Sequence, residues 1–268
     1  HAEFVISEHF DVFKDRFPQL KLIEDKDKIL NAELIYRSEA GVAKFHHLSL
    51  DRVIEIESAE IKDVIFDFDG TIIKSREQIY EINRIVFSQV LERQVSIEEA
   101  VSNFHPEFSR LFEAFAITCE SKKKSAIQLW GEVAKEFSHE IFAGVTELLE
   151  ELKSRGKYRL HLWTARDEQS ARRILFSHNL EHFFTSMSFA NSTHSKPHSN
   201  SLNFNWRAMP KNSILVIGDS PSDILGAKNI GAVAGAALWD LNSCQKKIVS
   251  AGAELYFRDP YALLQWLS

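Results

Sequence analysis

The sequence predicts an α/β protein: a doubly wound parallel sheet, with a helical segment inserted into it and an extension ahead of it. Three observations carry this expectation. The short apolar runs "DVIFDFDG", "YRLHLWT" and "SILVIGD" are separated by stretches with helical periodicity, the pattern of strand–helix–strand units joined by right-handed crossovers. Each run ends in polar residues, where a doubly wound sheet keeps its sites, at the carboxyl ends of its strands. Between the first run and the second lie about 70 residues whose periodicity is helical throughout.

Taken in chain order, residues 1–60 open with the Phe-rich "FVISEHFDVFKDRF" and continue with the alternating runs "AELIYRS", "KFHHLSL" and "RVIEIES". Period-two alternation of this kind predicts small antiparallel strands. His46 and His47 are adjacent, so on a strand they face opposite ways, a poor arrangement for one metal ion. Residues 61–73 form the first core strand and its exit. Residues 74–143 are helical; in "EFSRLFEAF", Phe108, Leu111, Phe112 and Phe115 follow the i, i+3, i+4, i+7 spacing of a packed face. The run Lys122, Lys123, Lys124 reads as a solvated helix face or turn, with phosphate attraction the alternative. From residue 144 to 268 the core resumes. "GVTELLEELKSRG" is a helix ended by Gly156, "YRLHLWT" a strand, "EQSARRILFSHNL" a helix, "TSMSFAN" a strand, "STHSKPHSNS" a loop, "SILVIGD" a strand and "DILGAKNIG" a helix ended by Gly231.

Composition bounds the function. With 44% hydrophobic and 26% charged residues in 268, the chain is neither disordered nor built to cross a membrane. The net charge of −6 opposes binding along a nucleic-acid backbone. Residues 1–66 hold 14 acids and 9 bases, so −5 of that charge lies ahead of the first aspartate motif. Cys119 and Cys244 are far apart with no metal spacing, and no signal-peptide pattern opens the chain; both features predict a reducing, cytoplasmic setting.

The polar residues at the strand ends form four clusters: Asp67 with Asp69, Thr164, Lys196, and Asp219 with Asp223. Asp or Thr at one strand end often serves only a turn or a cap; four clusters in succession point to a site. Along an extended segment Asp67 and Asp69 emerge on one side, with Phe68 turned into packing.

These residues resemble the haloacid dehalogenase superfamily of aspartate-nucleophile phosphotransferases, in its phosphoglycolate phosphatase and β-phosphoglucomutase-like branch. "DFDGT" is similar to its first motif, "LHLWT" to its second, the "SKP" of "HSKPHSN" to its third and "GDSPSD" to its fourth, in the family's order. The likeness covers about Ile61 to Leu267, with weaker echoes in "FAGVTELLEELKSRG" and "AGAELYFRDPYALLQWL". It implies a Rossmann-like core with the helical segment as a cap between first and second motifs. It also implies Asp67 as the nucleophile that becomes an aspartyl phosphate, and Asp69 as the acid that protonates the leaving alcohol and then the base that activates water. Mg²⁺ is expected on Asp67, the backbone carbonyl of Asp69, Asp219 and Asp223. Lys196 and Thr164 are expected to bind the phosphoryl oxygens, and Gly70, Thr71, Ala165 and Arg166 to line the substrate site.

Two departures from the family pattern leave alternatives open. The hinge after the first motif reads "IIKSRE", so Lys74 and Arg76 either meet an anionic leaving group or are solvated. "TAR" replaces the commoner amide or lysine after the second strand, so Arg166 meets phosphate, substrate or solvent. The resemblance implies a Mg²⁺-dependent phosphatase acting on a small phosphorylated metabolite. Alternatives are a sugar phosphomutase, a phosphotyrosine phosphatase, or a regulatory module that keeps a phosphate site. Residues 1–60 lie outside the likeness, with a structural layer, a self-association arm and a protein-binding element as their open roles.

Overall fold

The computed structural model describes residues 60–105, 108–190, 195–243 and 245–268, together with the backbone of three strands in the extension. The Phe-rich opening and Cys244 lie outside the described residues. The three strands are β1 (Leu34–Arg37), β2 (Val42–His47) and β3 (Arg52–Glu57), paired antiparallel in that order. They fall on the three alternating runs, with Phe45 opposite both Ile35 and Ile54. His46 and His47 are the last two residues of β2.

The chain separates into two compact units, His1–Ile72 with Ile141–Ser268, and Ile73–Glu140. The first contains the core sheet. It begins with β4 (Asp63–Phe66), buried along its whole length. After β4 the chain runs through β5 (Ile73–Lys74), four helices and β6 (Glu140–Ile141) before returning. It then alternates α5 (Val145–Ser154), β7 (Arg159–Asp167), α6 (Glu168–Ser177), β8 (Ser186–Ala190), β9 (Ile214–Gly218), α7 (Pro221–Ile230), β10 (Val233–Ala237), α8 (Gln245–Ser250), β11 (Leu255–Phe257) and α9 (Pro260–Trp266).

All neighbouring strands of the core are parallel, in the order β11-β10-β9-β4-β7-β8. From β4 the chain builds first toward β8 and then toward β11, so the carboxyl end of β4 is the point where the winding reverses. That is where a doubly wound sheet opens a crevice for ligands. This α/β architecture is the one the alternating pattern predicts.

Several elements differ from the sequence reading, among them the short strands β5 and β6 at the two ends of the stretch read as helical, and β7 and β10. Strand β7 continues three residues past Thr164, because an irregularity between Trp163 and Asp167 lets it resume pairing with β8 at Ala190. Strand β10 lies in the run "AVAGAALW", which the sequence reading did not assign. Its Gly235 faces Ile217 so closely that an added Cβ would meet Ile217 Cδ1 at 2.5 Å, which keeps a side chain out of that position.

The second unit holds α1 (Arg76–Leu91), α2 (Ile97–Ser102), α3 (Phe108–Ala114) and α4 (Glu120–Val133). Leu111, Phe112 and Phe115 are buried and Phe108 packs against the same cluster. Phe87 stacks on Phe115 with centroids 4.1 Å apart. The Trp130 indole donates to Asn83 Oδ1 at 2.9 Å, tying α4 to α1. Lys123 pairs with Glu120 at 2.7 Å and Lys122 with Glu92 at 4.0 Å, as expected of a charged helix surface. Among the described residues no helix is long and apolar enough to cross a membrane.

At the amino ends of β4 and β7, Asp63 is fully buried yet charged. Arg159 donates to both of its oxygens, at 2.6 and 2.7 Å, and His161 Nε2 lies 3.0 Å from Oδ1. Burial alone would raise this carboxyl, but the hydrogen bonds of Arg159 and His161 outweigh it and hold it below its ordinary range. A lowered folded pKa contributes stability that is present above the unfolded value of about 3.9 and is lost as pH falls through the folded one. Asp63→Asn is therefore expected to cost about 1–3 kcal/mol at neutral pH. In chemical melts of both proteins, the gap should narrow as the pH drops below about 4.

Candidate active site

Four strand ends converge at the winding reversal. Strand β4 ends at Phe66, but the Asp67 amide still donates to Ile217 O at 2.8 Å, which extends the ladder to β9 by one residue. The chain then turns, with Ile72 N donating to Phe68 O at 2.8 Å and Phe68 fully buried. Gly70 makes this exit with φ +80°, and a Cβ there would lie 2.2 Å from Asp219 Oδ2. Only glycine satisfies both demands. Gly218 needs its missing side chain for space alone, since a Cβ would meet Asp223 Cγ at 2.2 Å.

Asp67, Asp219 and Asp223 are all buried, and one carboxylate oxygen from each lies within 4.8 Å of the others. Into this cluster the loop after β8 brings Lys196, also buried, whose ammonium donates to Asp67 Oδ1 and, at 2.5 Å, to Asp223 Oδ1. Burial pushes the Asp67 carboxyl well above its ordinary value and Asp223 and Asp219 add to the rise, with Lys196 opposing it. For Lys196, burial would favour losing the proton, but Asp223 and Asp67 outweigh it and hold the ammonium charged. Asp223 Oδ2 accepts from Ser220 N at 3.0 Å and Ser220 Oγ at 2.6 Å. This reciprocal cap starts α7, so one residue both begins the helix and serves the cluster.

Asp69 turns to a different cation. Arg166 donates Nε to Asp69 Oδ2 at 2.8 Å and Nη2 to Oδ1 at 2.5 Å, a two-pronged pair. The guanidinium is buried, its side chain only 5% exposed, while that of Asp69 is 24% exposed. Burial would weaken its charge, but Asp69 outweighs that and holds it up. Of the partners left open for Arg166 in the sequence, the structure adds one not weighed there, the carboxylate of Asp69.

Thr164 is buried; its Oγ1 accepts the Arg166 amide at 3.0 Å, which leaves the hydroxyl proton for another acceptor. Ala165 is exposed between these two buried neighbours. Thr71 is fully buried; its Oγ1 makes a long contact of 3.5 Å to Asp219 Oδ1, and its carbonyl accepts from Trp239 Nε1 at 2.8 Å. In the second unit, Lys74 pairs with Glu140 at 3.4 Å and Arg76 lies over the Phe104 ring at 5.8 Å. The sequence reading passed over Ser220, although "DSPSD" carries the Ser-x-x-Asp signature of a capping box. It also passed over Trp239, which lies in no motif, and Trp163, which lies in "LHLWT" but was given no role.

The donor set fits a hard divalent cation. Three carboxylates supply only oxygen, they are brought close together out of water, and one ammonium offsets only one of their three charges. Asp219 has Gly70 cut away beside it. Both oxygens of Asp223 already accept hydrogen bonds from the protein.

Comparison with known proteins agrees with this geometry. The haloacid dehalogenase-like hydrolase family matches residues 64–237, from the first core strand to the end of β10. A pyrophosphatase PpaX of Bacillus cereus is 28% identical over 188 residues, 68% of this chain and 85% of that protein. The structure of a haloacid dehalogenase-like hydrolase from Streptococcus pneumoniae superimposes with a TM-score of 0.67 at 20% identity, covering 78% of this chain and all of the other. A predicted phosphoglycolate phosphatase from Haemophilus somnus superimposes with a TM-score of 0.64 at 20% identity, covering 76% and 97%.

Gly70→Ala forces a side chain into both a left-handed backbone position and the space of Asp219. It is expected to cost about 2 kcal/mol or more in stability and at least about 100-fold in turnover. Thermal melts and initial rates measured on the same preparation check both. With the match spanning the whole of the converging strand ends, the chain belongs to the haloacid dehalogenase-like hydrolase family, and it is a hydrolase.

Proposed function

We propose that this hydrolase is a Mg²⁺-dependent phosphatase of small phosphate monoesters that works through an aspartyl phosphate on Asp67. The observation that carries the reading is the pairing of cations with the two aspartates of "DFDGT": Lys196 on Asp67 and Arg166 on Asp69. Asp67 is thereby held in the buried cluster, while Asp69, partly exposed, can exchange the Arg166 fork for a proton when a phosphate takes the guanidinium. Mg²⁺ on Asp67, the Asp69 carbonyl and Asp219, with Asp223 reaching it directly or through water, would supply positive charge against nucleophile and phosphate alike.

In the first step an Asp67 oxygen forms a bond to phosphorus while the bond to the leaving oxygen breaks, and Asp69, protonated once the Arg166 fork has turned to the phosphate, gives that oxygen its proton. In the second, Asp69 takes a proton from water, the water oxygen bonds to phosphorus, and the bond to Asp67 breaks to free phosphate and regenerate the carboxylate. Lys196 and the Thr164 hydroxyl donate to the phosphoryl oxygens throughout. The fork of Arg166 has two acceptors in reach of this chemistry, Asp69 and an incoming phosphate, and guanidinium geometry suits both.

A second reading, hydrolysis of a phosphoanhydride such as pyrophosphate, is favoured by Arg166 as a second buried cation at the site and by the name of the Bacillus cereus relative. Assay of a panel of phosphometabolites, phosphopeptides and pyrophosphate separates the readings by which member turns over. Asp67→Asn is expected to lower turnover of every accepted substrate by at least about 1,000-fold, and chelation of Mg²⁺ to silence the wild type until metal is restored. An Asn variant with normal rates would remove Asp67 from the role of nucleophile.

A further inference from the structure

We infer that Trp163 is the positioning residue for Lys196, joining the strand, the loop and the helix that together carry the site. The inference rests on the phosphatase reading for its effect on phosphate binding, but its geometry does not depend on that reading. Trp163 is almost completely buried in the core cluster between β7 and α7. A residue there could be any large apolar side chain if filling space were its only task.

Three contacts go beyond filling space. The indole Nε1–H donates to Ser201 Oγ at 2.8 Å, and Ser201 Oγ donates onward to His198 O at 2.8 Å, two residues from Lys196. The Lys196 ammonium lies 6.0 Å from the centroid of the Trp163 ring, at the outer limit of a cation–π contact. The far edge of the ring occupies the space over Gly226 of α7, where a Cβ would meet Cη2 at 2.8 Å and Cζ3 at 2.9 Å.

Asp223 lies in the first turn of that helix, and its Asn229 donates to Pro197 O at 3.0 Å. One indole thus touches the strand that bears Thr164, the loop that bears Lys196 and the helix that bears Asp223. An ammonium on a flexible four-carbon stem has no fixed direction of its own. Its place is set by the carboxylates of Asp67 and Asp223 and by where the loop that carries its stem is anchored. Phenylalanine at position 163 keeps much of the packing but has no N–H for Ser201, and the loop then loses its buried tether.

The test is a double-mutant cycle read by orthovanadate affinity with Mg²⁺ present. With Lys196 in place, Trp163→Phe and Ser201→Ala are each expected to weaken binding about tenfold, and Ser201→Thr, which keeps the hydroxyl, to restore it. In a Lys196→Met background the same substitutions should change affinity by less than about twofold. Equal losses in both backgrounds overturn the inference, since damage to packing alone is indifferent to the lysine. The indole N–H resonance of Trp163, identified by its loss in Trp163→Phe, should move on Lys196→Met; a resonance that does not move overturns the inference as well. This second arm reads even if the wild type neither turns over substrate nor binds vanadate, a result that overturns the phosphatase reading alone. If thermal melts show Trp163→Phe to be unfolded, the Ser201 variants decide the cycle.

Discussion

The placement of one ammonium between two buried aspartates governs this molecule. Asp67, Asp219 and Asp223 bring three carboxylates within 4.8 Å of one another, where each pair repels by roughly 3–4 kcal/mol at an effective dielectric constant of about 20. Lys196 bridges two of them and makes the cluster tolerable. Much else at the sheet's carboxyl edge follows from holding that arrangement. Gly70 and Gly218 give up side chains to make room for carboxylates, and Asp223 is fixed twice, by Lys196 and by the cap of α7. The remaining repulsion is a cost carried by the folded protein, and it is what a divalent cation, held there as proposed, would relieve.

The two aspartates of the first motif differ because their surroundings differ. Asp67 continues the ladder of β4 and is drawn into the buried cluster. Asp69 lies at the start of the turn, partly exposed, and meets Arg166. A nucleophile needs a fixed position, whereas a group that first gives and then takes a proton needs access to the leaving group and then to water. The turn at Gly70 produces that division from residues only two apart.

Much of this was legible in the sequence, for physical reasons. Strands β4 and β9 are apolar runs that end in acids, so both the element and the site residue announce themselves, and Asp67, Lys196 and Asp219 do come together. Strand β10 was harder to read because its run is built of small residues around Gly235, which lies against Ile217, and it shows neither the alternation nor the bulky side chains that mark a strand. The partner of Arg166 was illegible for another reason: β7 continues through an irregularity past Thr164, and no one-dimensional pattern gives the direction of a side chain there. The role of Trp163 was illegible as well, since its hydrogen bond to Ser201 spans 38 residues of chain and leaves no local trace. The extension was legible as strands but not as a function, since alternation reports a pleated face and nothing about what meets it.

Fold alone would not assign chemistry, because such sheets host many activities; the residues at the end of β4 do. The most direct measurement is borohydride reduction of the enzyme quenched during turnover, followed by peptide mass spectrometry. An acyl phosphate on a carboxylate is reduced to the corresponding alcohol, so the predicted result is conversion of the Asp67 side chain and of no other aspartate. Release of phosphate with Asp67 unmodified, or modification at Asp69, Asp219 or Asp223 instead, would contradict the assignment.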